Sequence, residues 1–210
     1  MNSSALVPET KSLTSLRRAA KTCRACPLWR NATQTVFGEG KPSASIMLVG
    51  EQPGDREDET GQPFVGPAGA LLDRALAEAG ITRETCYLTN AVKHFKWEPR
   101  GKRRLHKKPS AREIAACRPW LESEFRLIRP KVTICLGATA VSAVLGPAVR
   151  VLRDRGKQFP SPFGGHAFVT VHPSLLLRMP DRKAAQREFH HLVRDLRIAA
   201  ESAEASDLSA

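Results

Sequence analysis

No apolar run in the chain reaches the ~18 residues that a membrane-spanning helix requires. Met1 to Lys21 carries no continuous apolar core of the kind that marks a signal peptide. A soluble, cytoplasmic protein with no membrane partner is therefore expected. Cysteine is sparse and odd in number, five in 210 residues. Without a secretory signal that count argues against a disulfide framework and leaves metal or redox use open. Internal repeats are absent, and no exposed apolar heptad points to assembly. The expectation is a monomer with a single domain over residues 1–200 and a frayed tail over 201–210. Acidic charge is also short: 21 Asp and Glu face 33 Lys and Arg, a net charge of +12. That excess favours an anionic partner. With no amphipathic Lys/Trp helix to suggest a membrane surface, nucleic acid is the better candidate.

What is present is a regular alternation. Residues 45–50, 86–90, 132–137 and 167–171 read as short apolar strands. Helical periods fall between them at Pro67–Ala79, stopped by Gly80, at about Ala111–Leu127, and at about Arg182–Ala200. Ser110 with Glu113 forms a capping-box signature at the start of the second helix. The pattern predicts an α/β fold of three layers, α/β/α, around a central, mostly parallel sheet of four strands. Ligands in such sheets bind outside the carboxyl ends of the strands. Glu51, Gln52, Asn90 and His172 all fall at such ends, which predicts that they converge on one crevice.

Much of the charge excess is local. The segment from Lys93 to Lys108 carries most of it, and within it the run Gly101 to Lys108 includes Lys102, Arg103 and Arg104 and a single histidine, His106, in what reads as a loop. Imidazole titrates near pH ~6.5, and neighbouring cations disfavour its protonated form. A neutral His106 would keep a lone pair for nucleophilic or base chemistry beside a phosphate backbone. The plain alternative is a solvated surface histidine.

Cys23 and Cys26 form a CxxC motif, Cys117 lies mid-helix, and His94 follows the second strand. Together they make a four-ligand set that suits an iron–sulfur cluster or zinc. Cys86 and Cys135 read as small core hydrophobes.

The segments Gly50-Glu51-Gln52-Pro53-Gly54 and Gly61-Gln62-Pro63-Phe64-Val65-Gly66-Pro67-Ala68-Gly69 resemble the first motif of the iron–sulfur uracil-DNA glycosylases of families four and five. Thr89-Asn90-Ala91-Val92-Lys93, Ala116-Cys117-Arg118-Pro119-Trp120-Leu121 and Val171-His172-Pro173-Ser174 match that superfamily in the same order, and the likeness runs from about Cys23 to Arg197. Two departures stand out. His94 occupies the place where family four carries a cysteine, and the basic insertion Lys102-Arg103-Arg104-Leu105-His106 is extra. Both are similar to the UdgX branch, whose Lys-Arg-Arg-x-His loop supplies a histidine that bonds covalently to DNA after uracil leaves.

The resemblance implies a [4Fe-4S] cluster on Cys23, Cys26, His94 and Cys117. It implies uracil-containing DNA, single-stranded or double-stranded, as partner, with the base flipped into a pocket. Phe64 would stack on the base and Asn90 would read its imide edge. Gln52, Gly54 and Asp55 would line the rest of the uracil site, and His172 would bond the departing anion. Ser174, Arg178, Lys102, Arg103 and Arg104 would hold the DNA backbone. His106 would attack the sugar C1′, with Glu51 orienting it and balancing its acquired charge. Two other readings compete: a multiple-turnover glycosylase in which water attacks, and a non-catalytic nucleic-acid-binding protein with a structural metal.

Overall fold

The computed structural model describes residues 7–208. After helix α1 (Leu13–Ala20) the chain enters a two-residue strand β1 (Glu39–Gly40), then β2 (Ile46–Gly50), α2 (Asp55–Thr60), α3 (Pro67–Glu78) and β3 (Tyr87–Asn90). A hairpin follows, β4 (Trp97–Arg100) and β5 (Arg103–His106), and then α4 (Ala111–Ile128), β6 (Val132–Leu136), α5 (Ala138–Leu145) and α6 (Val151–Asp154). The chain closes with β7 (Gln158–Pro160), β8 (His166–Thr170), α7 (Pro173–Leu177) and α8 (Arg182–Leu208).

The main sheet has six strands in the order β1-β3-β2-β6-β8-β7. The inner four, β3, β2, β6 and β8, run parallel, while β1 and β7 join antiparallel at the two edges. The expected four-stranded sheet is thus corrected to a mixed sheet of six. The four inner strands were readable because strands covered on both faces are apolar throughout, and β2, β3 and β6 are buried at every residue. The edges were not, because two exposed residues in β1 and the Gln-Phe-Pro of β7 carry no period to detect. A second difference is that residues 93–108 are not loop throughout: β4 and β5 pair as an antiparallel ribbon with Trp97 opposite His106. Gly101 at φ 58° supplies the positive φ that a two-residue hairpin turn needs.

One face of the sheet packs on α3 and α8 through Leu48, Ile134, Phe168, Leu72, Leu76, Phe189, Leu192 and Leu196. The other packs on α4 and α5 through Met47, Val49, Cys135, Val169, Leu121, Phe125 and Val141. Cys86 and Cys135 sit within these layers. The last helix runs on past Ala200 to Leu208, where a frayed tail was expected. Ala199 and Ala203 extend its buried stripe at helical spacing, so the core continues beneath it. Among the described residues no helix is long and apolar enough to cross a membrane.

Candidate active site

A cavity of about 490 Å³ opens at the carboxyl ends of the inner strands, and Glu51, Phe64, Asn90, His106, His172 and Arg178 share its wall. These residues come from five separate segments, and the parallel strands bring them together because all four end on the same side of the sheet.

The base of the cavity is shaped by missing Cβ atoms. A Cβ on Gly50, the last residue of β2, would lie 2.3 Å from Asn90 Oδ1 and 2.6 Å from Phe64 Cζ. Glycine there lets an amide and an aromatic ring meet over the strand end. Phe64 holds φ 57°, a left-handed conformation rare for a side-chain-bearing residue. Gly69 lets α3 approach, since a Cβ there would fall 1.9 Å from the Phe64 carbonyl oxygen. Glu57 fixes the same loop: its carboxylate accepts from Gly54 N at 3.1 Å, Val65 N at 3.0 Å and Gly66 N at 2.7 Å. Strain at Phe64 therefore persists because three main-chain bonds over-determine it. The amide of Asn90 bonds no described residue, so its donors and acceptor are available to an occupant of the cavity.

His172 faces Phe64, with ring centroids 6.2 Å apart and planes 26° from parallel. Burial, with His106 and Arg178 nearby, lowers its pKa to about 4, so the ring is neutral at pH 7. Ser174 N donates to His172 Nδ1 at 3.2 Å. A nitrogen that accepts cannot carry the proton, so the hydrogen of the neutral ring resides on Nε2. Ser174 Oγ is also 2.8 Å from Nδ1, and Arg178 Nη2 reaches that hydroxyl at 3.4 Å. Ser174 thus fixes the histidine tautomer.

The hairpin delivers His106 to the cavity mouth. His106 Nε2 is 3.6 Å from Glu51 Oε1. Thr139 Oγ1, on α5, donates to the other Glu51 oxygen and so sets the carboxylate plane. The Phe95 ring lies 6.0 Å from the imidazole. The His106 pKa is lowered, chiefly by burial and secondly by Arg178, against the opposing pull of Glu51. The sequence argument reached the neutral state through the Lys-Arg-Arg run, whereas the leading cause is desolvation.

Two expected ligand-binding side chains turn out to anchor this hairpin. Gln52 Nε2 donates to both Lys96 O and Lys107 O at 3.1 Å, and Gln52 Oε1 accepts from Lys96 N at 3.3 Å. Its amide staples the neck of the ribbon. Arg104 pairs with Asp55 at 2.5 Å and with the fully buried Asp58 at 2.6 Å, and it bonds Thr33 Oγ1 at 3.2 Å. Its guanidinium holds β5 against α2, and Asp55 is occupied by the same contact. Lys102 and Arg103 lie exposed at the hairpin tip. Sequence reading missed Glu57, Thr139 and Asp58. Glu57 alone had a local signal, a glutamate three residues after Gly54 at a helix start.

Cys23, Cys26 and Cys117 pack in a separate cluster with Leu16, Leu28, Phe37, Val92 and Trp120. Trp120 Nε1 donates to Cys23 Sγ and Lys93 N to Cys117 Sγ, both at 3.2 Å. His94 Nε2 lies 2.9 Å from Thr35 Oγ1, and burial lowers its pKa to about 4. Soft sulfur donors aided by N–H groups suit an iron–sulfur cluster or zinc. Among the described residues, however, no three His, Cys, Asp or Glu side chains converge closely enough for a single metal ion.

The sheet and crevice place the chain in the α/β class that binds ligands at strand ends, and comparison with known proteins narrows this. Residues 37–197 match the family described as the Uracil DNA glycosylase superfamily. A Type-4 uracil-DNA glycosylase of Thermotoga maritima is 43% identical over 159 residues, 75% of this chain and 79% of that protein. A second Type-4 enzyme, from Sulfurisphaera tokodaii, is 33% identical over 195 residues, 89% of this chain and 86% of its own. A Type-5 uracil-DNA glycosylase of Thermus thermophilus is 31% identical over 189 residues, covering 72% and 82%. The chain belongs to the uracil-DNA glycosylase superfamily. Its relatives carry Type-4 and Type-5 names, so the comparisons support the superfamily and not the narrower UdgX assignment.

Proposed function

We propose that this protein excises uracil from DNA, as the names of its relatives say they do. One observation carries the reading: the unpartnered Asn90 amide, the Phe64 ring and the Nε2–H face of His172 meet in a single cavity. A flipped uracil stacks on Phe64, and Asn90 gives one donor and one acceptor to its imide edge, a pattern that cytosine mismatches. Cleavage of the N-glycosidic bond leaves negative charge on the base. His172 Nε2–H donates to that charge as it develops, a contact worth about 10²–10³ in rate in comparable oxyanion sites. A neutral donor suits this task, because it stabilises the anion without protonating it first. Gly54, Gln52 and Asp55 line the pocket, and Gln52 and Asp55 also moor the hairpin beside it. Arg178 at the rim and Lys102 and Arg103 at the hairpin tip bind the phosphate backbone.

The sugar cation then needs a nucleophile. The Type-4 names of the relatives support water and multiple turnover. A second ending is favoured by the His106–Glu51 contact of 3.6 Å at the cavity mouth. In that ending neutral His106 Nε2 attacks C1′, a C–N bond forms, and Glu51 balances the imidazolium charge. The product is a DNA-linked protein that acts once, as the UdgX-like basic segment implies. Cys23, Cys26, His94 and Cys117 are the residues that would hold a [4Fe-4S] cluster. Bound there, the cluster would cross-link α4 to the segment after α1, remote from the excision chemistry.

The test is a single-stranded oligonucleotide with one uracil, incubated with the protein and resolved on a denaturing gel. Release of uracil with alkali-labile free DNA supports hydrolysis. A retarded band that survives heat and detergent supports capture. Unchanged DNA overturns the glycosylase reading.

A further inference from the structure

Beneath the crevice lies a charged pair that neither base recognition nor bond cleavage uses directly. Lys93 and Glu124 are 1% and 0% exposed, with Nζ and Oε2 2.5 Å apart. Lys93 Nζ also donates to Thr89 Oγ1 at 2.6 Å and to the main-chain oxygen of Asn90 at 2.8 Å, so all three ammonium hydrogens are used. Glu124 accepts from Gly38 N at 3.1 Å, from Tyr87 Oη at 3.0 Å and from Thr89 Oγ1 at 3.0 Å. Removing two charges from water carries a desolvation penalty that their attraction often fails to recover, and apolar residues of similar size hold a core at least as well. Stability alone therefore gives a poor account of the pair.

Its geometry gives a better one. Asn90 is the last residue of β3; beyond it Ala91 N donates to Gly50 O at 2.9 Å and Val92 N to Glu51 O at 3.0 Å, while the main-chain oxygen of Asn90 itself accepts from Lys93 Nζ. The Asn90 side chain is wedged over Gly50 and bonds nothing else in the described chain. Its direction thus depends on the peptide plane of Asn90, and the ammonium of Lys93 grips that plane from below. Glu124 in turn fixes the ammonium from α4, a rigid helix of 18 residues.

We propose that Lys93, held by Glu124, is a positioning residue that aims the Asn90 amide at the base and thereby sets affinity and selectivity for uracil. This rests on the glycosylase reading above. It adds that selectivity is built below the pocket, by a lysine that never touches substrate.

The experiment uses the full chain with Lys93→Met and Glu124→Leu combined, which removes both charges and leaves neither unpaired. Four quantities are read: melting temperature, affinity for a uracil-free single-stranded oligonucleotide, single-turnover uracil release, and inhibition of that release by free uracil. The expected result is near-wild-type melting and DNA affinity, uracil release slowed at least tenfold, and at least tenfold more free uracil needed for half-inhibition. Wild-type release and wild-type inhibition in this double variant would overturn the proposal and leave the pair a purely structural one. Equal losses in melting, DNA affinity and release would do the same. Glu124→Gln, which keeps the size of the side chain and loses the charge and one acceptor, serves if the double variant does not fold. The expectation there is a rise in the inhibitory uracil concentration of about threefold or more, and no rise refutes the idea. A wild-type protein that releases no uracil overturns the glycosylase reading itself, an outcome separate from all of these.

Discussion

His106 Nε2 faces Glu51 Oε1 at 3.6 Å, and each reaches that point from a different sheet: Glu51 follows β2 of the six-stranded sheet and His106 ends β5 of the hairpin. The separation is too long for a good hydrogen bond. It suits a pair that tightens when the imidazole gains charge. Replacing His106 with Ala should leave uracil release measurable and abolish any heat-stable protein–DNA band. Glu51→Gln should retain the fold and slow band formation by one to two orders of magnitude, roughly the contribution of a positioned charge partner. A gel time course with both variants checks this, and a persistent band in His106→Ala would remove that residue from the role.

The pH dependence of capture follows from the lowered pKa of His106. The nucleophilic form is the neutral ring, and a lowered pKa keeps it neutral below the ordinary histidine value. Capture should therefore persist further into acid than a histidine of ordinary pKa, ~6.5, would allow, and fall in still more acidic buffer. Stability responds to His172 with a worked sign. Its folded pKa of about 4 is below the unfolded ~6.5, so the unfolded chain binds more protons between those values. The contribution is fully present above ~6.5 and lost as pH falls toward 4, on the order of 3 kcal/mol in all. Melting curves of wild type and His172→Gln across this window should converge at low pH.

Arg104 and Arg103 are neighbours with opposite predicted phenotypes. Arg104→Ala strips its partner from Asp58, a carboxylate that is fully buried, so a loss of about 3 kcal/mol or more is expected. It should also release the hairpin and cut capture more than tenfold, with little change in the salt dependence of DNA binding. Arg103→Ala should do the reverse, lowering the slope of log affinity against log salt by about one and leaving melting unchanged. Titrations at several salt concentrations, paired with thermal melts, separate the two.

Gly50→Ala tests the shape of the pocket. The added Cβ would meet Asn90 Oδ1 at 2.3 Å and Phe64 Cζ at 2.6 Å, so one of these must move. Uracil release should drop by a factor of 100 or more, on the scale of losing an aligned transition-state contact. Affinity for uracil-free DNA should be unchanged. Single-turnover release measured beside filter binding decides it.

The residues at strand ends were legible from sequence because a buried parallel strand announces itself and its carboxyl end is where ligands sit. That logic located Glu51, Asn90 and His172 with no knowledge of contacts. The hairpin escaped because its strands, Trp-Glu-Pro-Arg and Arg-Arg-Leu-His, are short and rich in charge, which reads as solvated loop. The structural contacts of Gln52, Arg104 and Ser174 escaped for another reason. Each has the composition of a ligand-binding residue, and only the three-dimensional partners, Lys96 and Lys107, Asp58, and His172, show that it also holds its neighbours in place. Thr139 and Glu124 left no local mark, since their partners are far along the chain, and Lys93 stood in a matching motif with nothing local to show its pairing with Glu124.

The β4–β5 ribbon shares no hydrogen-bonded ladder with the main sheet and is moored by Gln52 at its neck and Arg104 on its flank. Such a part is portable. A related scaffold that offers a glutamine after its first inner strand and an aspartate pair on the next helix already has the sockets to receive it. Grafting residues 96–107 would carry His106 to the mouth of the host's cavity without redesigning the pocket itself.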